Sequence, residues 1–257
     1  MSPKIEDCVS RETLTIMVAM EQLRLQAHDW GIRLDRSQLS LLSGYADLLA
    51  GYELANVIGT RDRDKIILEH LSDALSCYTV EDLRWANSVI DIGSGGGLPG
   101  VPLGIVRSEL RVVLLEAVEK KVRFLEYARA ALGLQNIEVL HARAEDVGRK
   151  SAYREAFDLA TARALAALPV MVEYCAPFVR TGGTILAMKG RLPEEELSRG
   201  IAASRELGVE LREVREVKYR AQLPQKERRL VVLDKVDATA DRFPRRVGLA
   251  KKRPLGA

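Results

Sequence analysis

Cysteine is scarce in this chain. Cys8, Cys77 and Cys175 are its only three, they stand far apart, and no C-x-x-C pair occurs. Neither a disulfide framework nor a zinc knuckle is therefore expected, and the reduced thiols of a cytoplasmic protein are the simple reading. No run approaches the ~18 apolar residues of a membrane-spanning helix. The opening MSPKIEDC carries acids and no apolar core, so no secretory signal is expected. Charge of one sign is lacking too: a net charge of +3 gives no overall field to mark a partner. Internal repeats and low-complexity stretches are also missing.

What is present is 257 residues, 47% apolar and 29% charged, enough for one large globular domain with a substantial core. The chain is organised around VIDIGSGGGLPG at positions 89–100. A short apolar run there ends in glycines that open a helix. In α/β proteins this is how backbone comes close to a nucleotide-like ligand, because glycine accepts positive φ and adds no side chain. Pro102 stands where a helix can begin without loss of a hydrogen bond.

Residues 1–86 read as helical. Positions 13–25 carry Leu14, Met17, Val18, Leu23 and Leu25 at helical spacing. Ser37 is the expected cap of a second helix with Leu39, Leu42, Tyr45, Leu48 and Leu49 on one face, and a third helix spans 63–75. No glycine-rich linker follows, so this region is expected to pack on the main domain, residues 87–237. From 88 onward short β-rich runs alternate with helices. Strands are predicted at 89–92, 112–115, 137–140, 157–160 and 184–188, with helices at 102–107, 119–132, 165–174 and 194–207. Gly133 is placed as a helix C-cap. This alternation predicts a parallel sheet covered on both faces. Two last strands, 209–219 and 229–236, have no helix between them and form an antiparallel hairpin closing one edge. The fold class is α/β, of the Rossmann-like, class I methyltransferase kind. The tail, residues 238–257, holds Arg242, Arg245, Arg246, Lys251, Lys252 and Arg253 against one acid, Asp241. It reads as a solvated end, as an arm on phosphate, or as a segment folded back on Phe243 and Leu249.

The glycine loop admits two ligands. Gly95, Gly97 and Gly100 fit G-x-G-x-x-G, and Glu116 lies where a dinucleotide fold keeps its ribose acid. That reading gives a nicotinamide-dependent oxidoreductase. Asp91, Gly93, Gly95 and Gly97 instead form acid-x-G-x-G-x-G, which looks like the S-adenosylmethionine loop of class I methyltransferases, and the terminal hairpin favours the same side. Glu116 serves either ligand, since a carboxylate can accept both ribose hydroxyls. Arg143, Ala144 and Glu145 follow the third strand, where adenine would lie. Arg163 follows the fourth. A third possibility is a non-catalytic RNA-binding module with a vestigial loop.

Several segments together resemble one family, the small-subunit (16S) ribosomal RNA guanine-N7 methyltransferases, also called glucose-inhibited division protein B. They are DIGSGGGLPGVPLGI, TARALAAL with Arg163, MKG at 188–190, ERRLVVLDK, and the basic ending PRRVGLAKKRPL. Upstream, NVIGTRDRDKIILEHLSDAL matches at Asn56, Arg61, Asp62, His70 and Asp73, and departs at Val57, Ile58, Glu69 and Ala74. The resemblance implies S-adenosylmethionine as cofactor, with contacts at Gly93, Leu98, Ala144, Glu145 and Arg163. Glu116 replaces an acid that is often Asp.

The resemblance also implies small-subunit ribosomal RNA as partner, free or in the assembling subunit, and a monomer is expected. Asn56, His70, Lys189, Arg228, Arg229, Arg245 and Arg246 are the candidate RNA contacts. No metal and no catalytic base are expected, because guanine N7 carries no proton at neutral pH.

Overall fold

The computed structural model describes residues 11–221, 223, 224 and 227–256, with side chains from Val18 onward. Cys8, Leu14 and Met17 therefore lie outside the described side chains. Helix α1 spans Arg11–Asp29. It buries Ala19, Leu23 and Ala27, while Val18, expected inside, is 52% exposed. Helix α2, Arg36–Gly51, starts two residues earlier than Ser37 would place it. Its cap is Asp35, which accepts the N–H of Gln38 at 2.8 Å while its own N–H donates to Gln38 Oε1 at 2.9 Å. The reciprocal pair satisfies two end donors at once, which a lone serine cannot do.

The third predicted helix is one helical path in three pieces: α3 (Arg63–Lys65), a π-helical turn (Ile66–Leu71) and α4 (Ser72–Leu75). His70 lies in the π-helical turn, and Asp73 in the turn that follows. Next come a 3-10 turn at Ser76–Thr79 and α5 at Asp82–Trp85. The α/β part runs β1 (Ser88–Ile92), α6 (Gly100–Val106), β2 (Arg111–Glu116), α7 (Glu119–Ala131), β3 (Ile137–His141), α8 (Ala144–Val147) and β4 (Phe157–Arg163). It continues with α9 (Leu168–Cys175), β5 (Val179–Lys189), α10 (Glu194–Glu206), β6 (Val209–Glu216), β7 (Arg229–Lys235) and α11 (Leu249–Lys252). Gly133 ends α7 with φ +65°, as its position predicts.

The seven strands are ordered β3-β2-β1-β4-β5-β7-β6. The first five are parallel; β7 pairs antiparallel with both β5 and β6. Successive residues of the central strands feed opposite cores. Val89, Val112 and Leu114 join the cluster that includes Leu23, Tyr45, Ile66 and Leu71, whereas Ile90, Val113 and Leu115 join the cluster with Met171, Phe178 and Phe243. That is why these strands read as runs that are mostly apolar: period-2 side chains are buried on both faces. The helical region of residues 18–86 thus shares a core with one face of the sheet. Strand order reverses between β1 and β4, so a crevice opens at the carboxyl ends of those strands.

The tail folds back. Phe243 and Ala250 are buried, and Arg149 and Arg154 donate hydrogen bonds to backbone carbonyls between Thr239 and Pro244. Neither solvated end nor free arm describes this segment. Its aromatic anchor and the carbonyls it offers to two arginines outweigh the repulsion of its own cations.

Candidate active site

A cleft of ≈ 340 Å³ opens at the carboxyl ends of β1 to β4, between Gly93, Glu116 and Glu145. The loop after β1 bends over the end of β2, where Leu115 O accepts the N–H groups of Gly93 (2.8 Å) and Ser94 (3.2 Å). Gly93 and Gly95 both have positive φ, +69° and +59°. A Cβ on Gly95 would meet only Gly93 O, at 3.9 Å, so this glycine faces open space. Glu116 is nearly buried and borders the cleft. One carboxylate oxygen accepts the Gly95 N–H at 2.9 Å; the other accepts those of Ala117 and Val118, both at 2.8 Å. Three donors fix the carboxylate and leave lone-pair capacity toward the cleft.

The other glycines serve packing. A Cβ on Gly96 would stand 2.8 Å from Val57 O, and one on Gly97 would stand 2.6 Å from Val101 Cγ2 and 2.8 Å from Tyr45 Oη. Tyr45 also donates its hydroxyl to Gly96 O. Asp91, expected beside the cofactor, is completely buried beneath the loop. It accepts the Thr161 hydroxyl at 2.9 Å and the Gly100 N–H at 3.2 Å. Burial pushes its carboxyl up to about 6, against the opposing pull of these hydrogen bonds and of Arg163. Gly97 and Leu98 likewise belong to the loop's foundation, packed in the core cluster shared with the helical region.

On the far wall lie Ala144 and Glu145, where the sequence places them. Glu145 is nearly buried, and its Oε1 accepts the N–H of Gly248 at 2.9 Å. The Tyr174 hydroxyl also hydrogen-bonds Glu145; burial and the neighbouring carboxylate push that phenol up to about 12. Tyr174, Gly248 and Lys251 complete this wall. Sequence reasoning missed all three, because nothing local says that a C-terminal segment returns to the third strand.

Arg163 extends from β4 away from this wall. Its Nε lies 3.0 Å from Asp73 Oδ2, and its Nη2 donates to His70 Nδ1 at 2.6 Å. A guanidinium only donates, so His70 Nδ1 must be unprotonated. Asp73 is buried, with a second arginine, Arg228, 3.1 Å from its Oδ1 and the Tyr219 hydroxyl donating to the same oxygen at 3.4 Å. The structure therefore gathers His70, Arg163 and Arg228 around Asp73. The sequence did carry a signal for Asp73: three residues after His70 on a helical path, it must share a face with it.

The remaining candidates scatter. Lys189 pairs with Glu196 at 2.7 Å and donates to Ala166 O. Arg229 pairs with Glu227 at 2.7 Å and donates to Leu192 O. Arg245 is committed to the buried Glu173, through Nε at 2.8 Å, Nη2 at 2.5 Å and its backbone N–H at 3.1 Å. Its charge is spent on anchoring the tail, contrary to the expectation of a phosphate contact. Arg246 is exposed, and Asn56 is exposed on the segment that abuts Gly96. A second cleft of ≈ 360 Å³, near Trp85, Asp158 and Arg180, lies at the opposite ends of the strands, remote from the glycine loop.

A mostly parallel seven-stranded sheet with an antiparallel end, and a glycine loop held by the acid that ends the second strand, define a class I S-adenosylmethionine-dependent methyltransferase. The precorrin-6y C5,15-methyltransferase of Geobacter metallireducens shares the fold, with a TM-score of 0.50 at 17% identity over 70% of this chain and 98% of that one. So does a mitomycin 7-O-methyltransferase, with a TM-score of 0.51 at 14% identity over 66% and 55%. The family described as rRNA small subunit methyltransferase G matches residues 38–228, and the chain belongs to it.

Relatives named ribosomal RNA small subunit methyltransferase G are 51% identical in Rubrobacter xylanophilus, over 92% of this chain and 91% of that one, and 43% identical in Moorella thermoacetica, over 88% and 94%. The protein is thus an enzyme that methylates RNA of the small ribosomal subunit, with S-adenosylmethionine as its cofactor. The oxidoreductase and non-catalytic readings fall. No described helix is long and apolar enough to cross a membrane.

Proposed function

We propose that the methyl acceptor is N7 of a guanine and that the cleft between the glycine loop and Glu145 holds the donor. The observation that carries the placement is Glu116: a nearly buried carboxylate, held by three backbone donors, with capacity left toward the cleft. The lone pair left on the oxygen that accepts Gly95 suits a ribose hydroxyl. Gly93 and Gly95 let the backbone approach, while Ala144 and Glu145 flank the position of the adenine. Of the N-terminal region 1–86, the described residues 11–86 serve as a helical platform for the methyltransferase domain, residues 87–237.

When bound, the donor supplies a methyl group on a sulfonium: the N7 lone pair forms the new C–N bond as the C–S bond breaks, leaving a thioether and a cationic base. Since guanine N7 carries no proton at neutral pH, the protein has none to remove. Its task is alignment, worth about 7–11 kcal/mol when the reacting atoms are held in line. On the substrate side Asp73 holds Arg163 and Arg228 in fixed directions, and His70 borders the same region. Asp73 also offsets their charge, which would otherwise disfavour a cationic product.

The test is mass spectrometry of nuclease-digested small-subunit RNA from cells with and without the protein. Loss of N7-methylguanosine is expected in its absence. An unchanged level, with another methylated nucleoside missing, would assign a different acceptor atom.

A further inference from the structure

The basic C-terminal segment does more than finish the fold. Gly248 and Lys251 border the same cleft as Gly93 and Glu116. Two attachments hold them there. Arg245 forms its bidentate pair with Glu173, one residue before Tyr174 on α9. The Gly248 N–H then donates to Glu145, which also receives the Tyr174 hydroxyl. Gly248 takes φ +77°, and a Cβ there would meet nothing within 4 Å, so the chain passes the cleft with room to spare. Phe243 and Ala250, both buried, fix the segment before and after the crossing. Lys251, exposed, is left at the cleft's rim with a cationic head.

We infer that the segment 244–252 is a wall of the methyl-donor cleft, with Lys251 a donor-proximal side chain, so that donor binding and docking of the tail reinforce each other. The inference rests on the assignment of that cleft to the donor. Its physical basis is linkage: Glu145 touches both the tail and the cleft, so a ligand that orders Glu145 strengthens the Gly248 contact, and the docked tail raises ligand affinity by the same factor. The placement also gives the charge at position 251 a function that the fold does not require. Because Lys251 projects to solvent, changing it leaves the buried anchors Phe243 and Ala250 untouched.

The experiment uses the full-length protein with S-adenosylhomocysteine as probe. Lys251→Ala and Lys251→Glu are expected to melt at the wild-type temperature without ligand and to bind the probe at least five-fold more weakly, by calorimetry. In the wild type, saturating probe is expected to slow amide exchange at Gly248 and through residues 249–253, as well as at Gly93 and Gly95. If both variants bind within two-fold of wild type and the probe protects Gly93 and Gly95 but not the tail, the inference is overturned while the donor cleft stands. If the wild type binds the probe without protecting Gly93 or Gly95, the donor lies elsewhere and both fall.

Discussion

The carboxylate of Glu116 receives the N–H of Gly95 at 2.9 Å, so the acid that ends β2 holds the loop that follows β1. Removing it acts twice, on the ligand and on the loop. Glu116→Ala is expected to weaken binding of S-adenosylmethionine by about 1–3 kcal/mol, the usual cost of stranding buried polar partners. Calorimetry measures this directly. Wild-type affinity in the variant would show that Glu116 is not the ribose ligand.

Two glycines of one loop should fail in different ways. Gly95 faces open space, whereas a Cβ on Gly97 would collide with Val101 and Tyr45. Gly95→Ala is expected to cost about 1–2 kcal/mol of stability, from the left-handed backbone alone, and to abolish donor binding. Gly97→Ala adds overpacking of about 1–3 kcal/mol to the same backbone strain, and should show chiefly as a lower melting temperature. Thermal melts and calorimetry on the pair separate the two outcomes; equal melting temperatures would place both glycines on the ligand side.

Asp91 gives the stability a distinctive pH dependence. Its carboxyl is raised to about 6 from an ordinary value of 3.8. The folded protein therefore holds that proton more tightly than the unfolded chain, and Asp91 costs stability above pH 6 but not below 4. At about 1.4 kcal/mol per unit, the swing is about 3 kcal/mol. The stability of wild type relative to Asp91→Asn should fall by that amount between pH 4 and pH 7 in urea unfolding. A flat difference would mean that Asp91 titrates like an exposed acid.

RNA binding should depend on the cations that the fold leaves exposed. Arg246, Lys252 and Arg253 are exposed, whereas Arg245 is bound to Glu173. If each of the three neutralises one phosphate, replacing all three by Ala should flatten the slope of log affinity against log salt by about two units. Filter binding to a small-subunit RNA fragment at several salt concentrations reads the slope. An unchanged slope would put the phosphate contacts elsewhere.

Local signals carried the sheet, the loop and the acid that ends β2. Val89, Val112 and Leu114 sit in apolar runs because their strands are covered on both faces, and the glycines crowd where backbone must turn back over β2. What stayed hidden depends on partners far along the chain. Asp91 looks like a ligand until Thr161, 70 residues away, takes up one of its oxygens. Arg245 looks like a phosphate contact until Glu173 claims it. The cap at Asp35 was missed for a smaller reason: Ser37 is an equally good capping residue, and only the reciprocal bond with Gln38 decides between them.

Gly96 and Gly97 rest on Val57 and Tyr45, so the underside of the loop is moulded by helix α2 and the segment after it. The loop is consequently not a portable module. Transplanted into another methyltransferase it would arrive without its seat, and a foreign loop placed here would find a seat cut for two missing side chains. Among descendants of this sequence, positions 45, 57, 96 and 97 should therefore be inherited as a unit, with drift at one constrained by the other three.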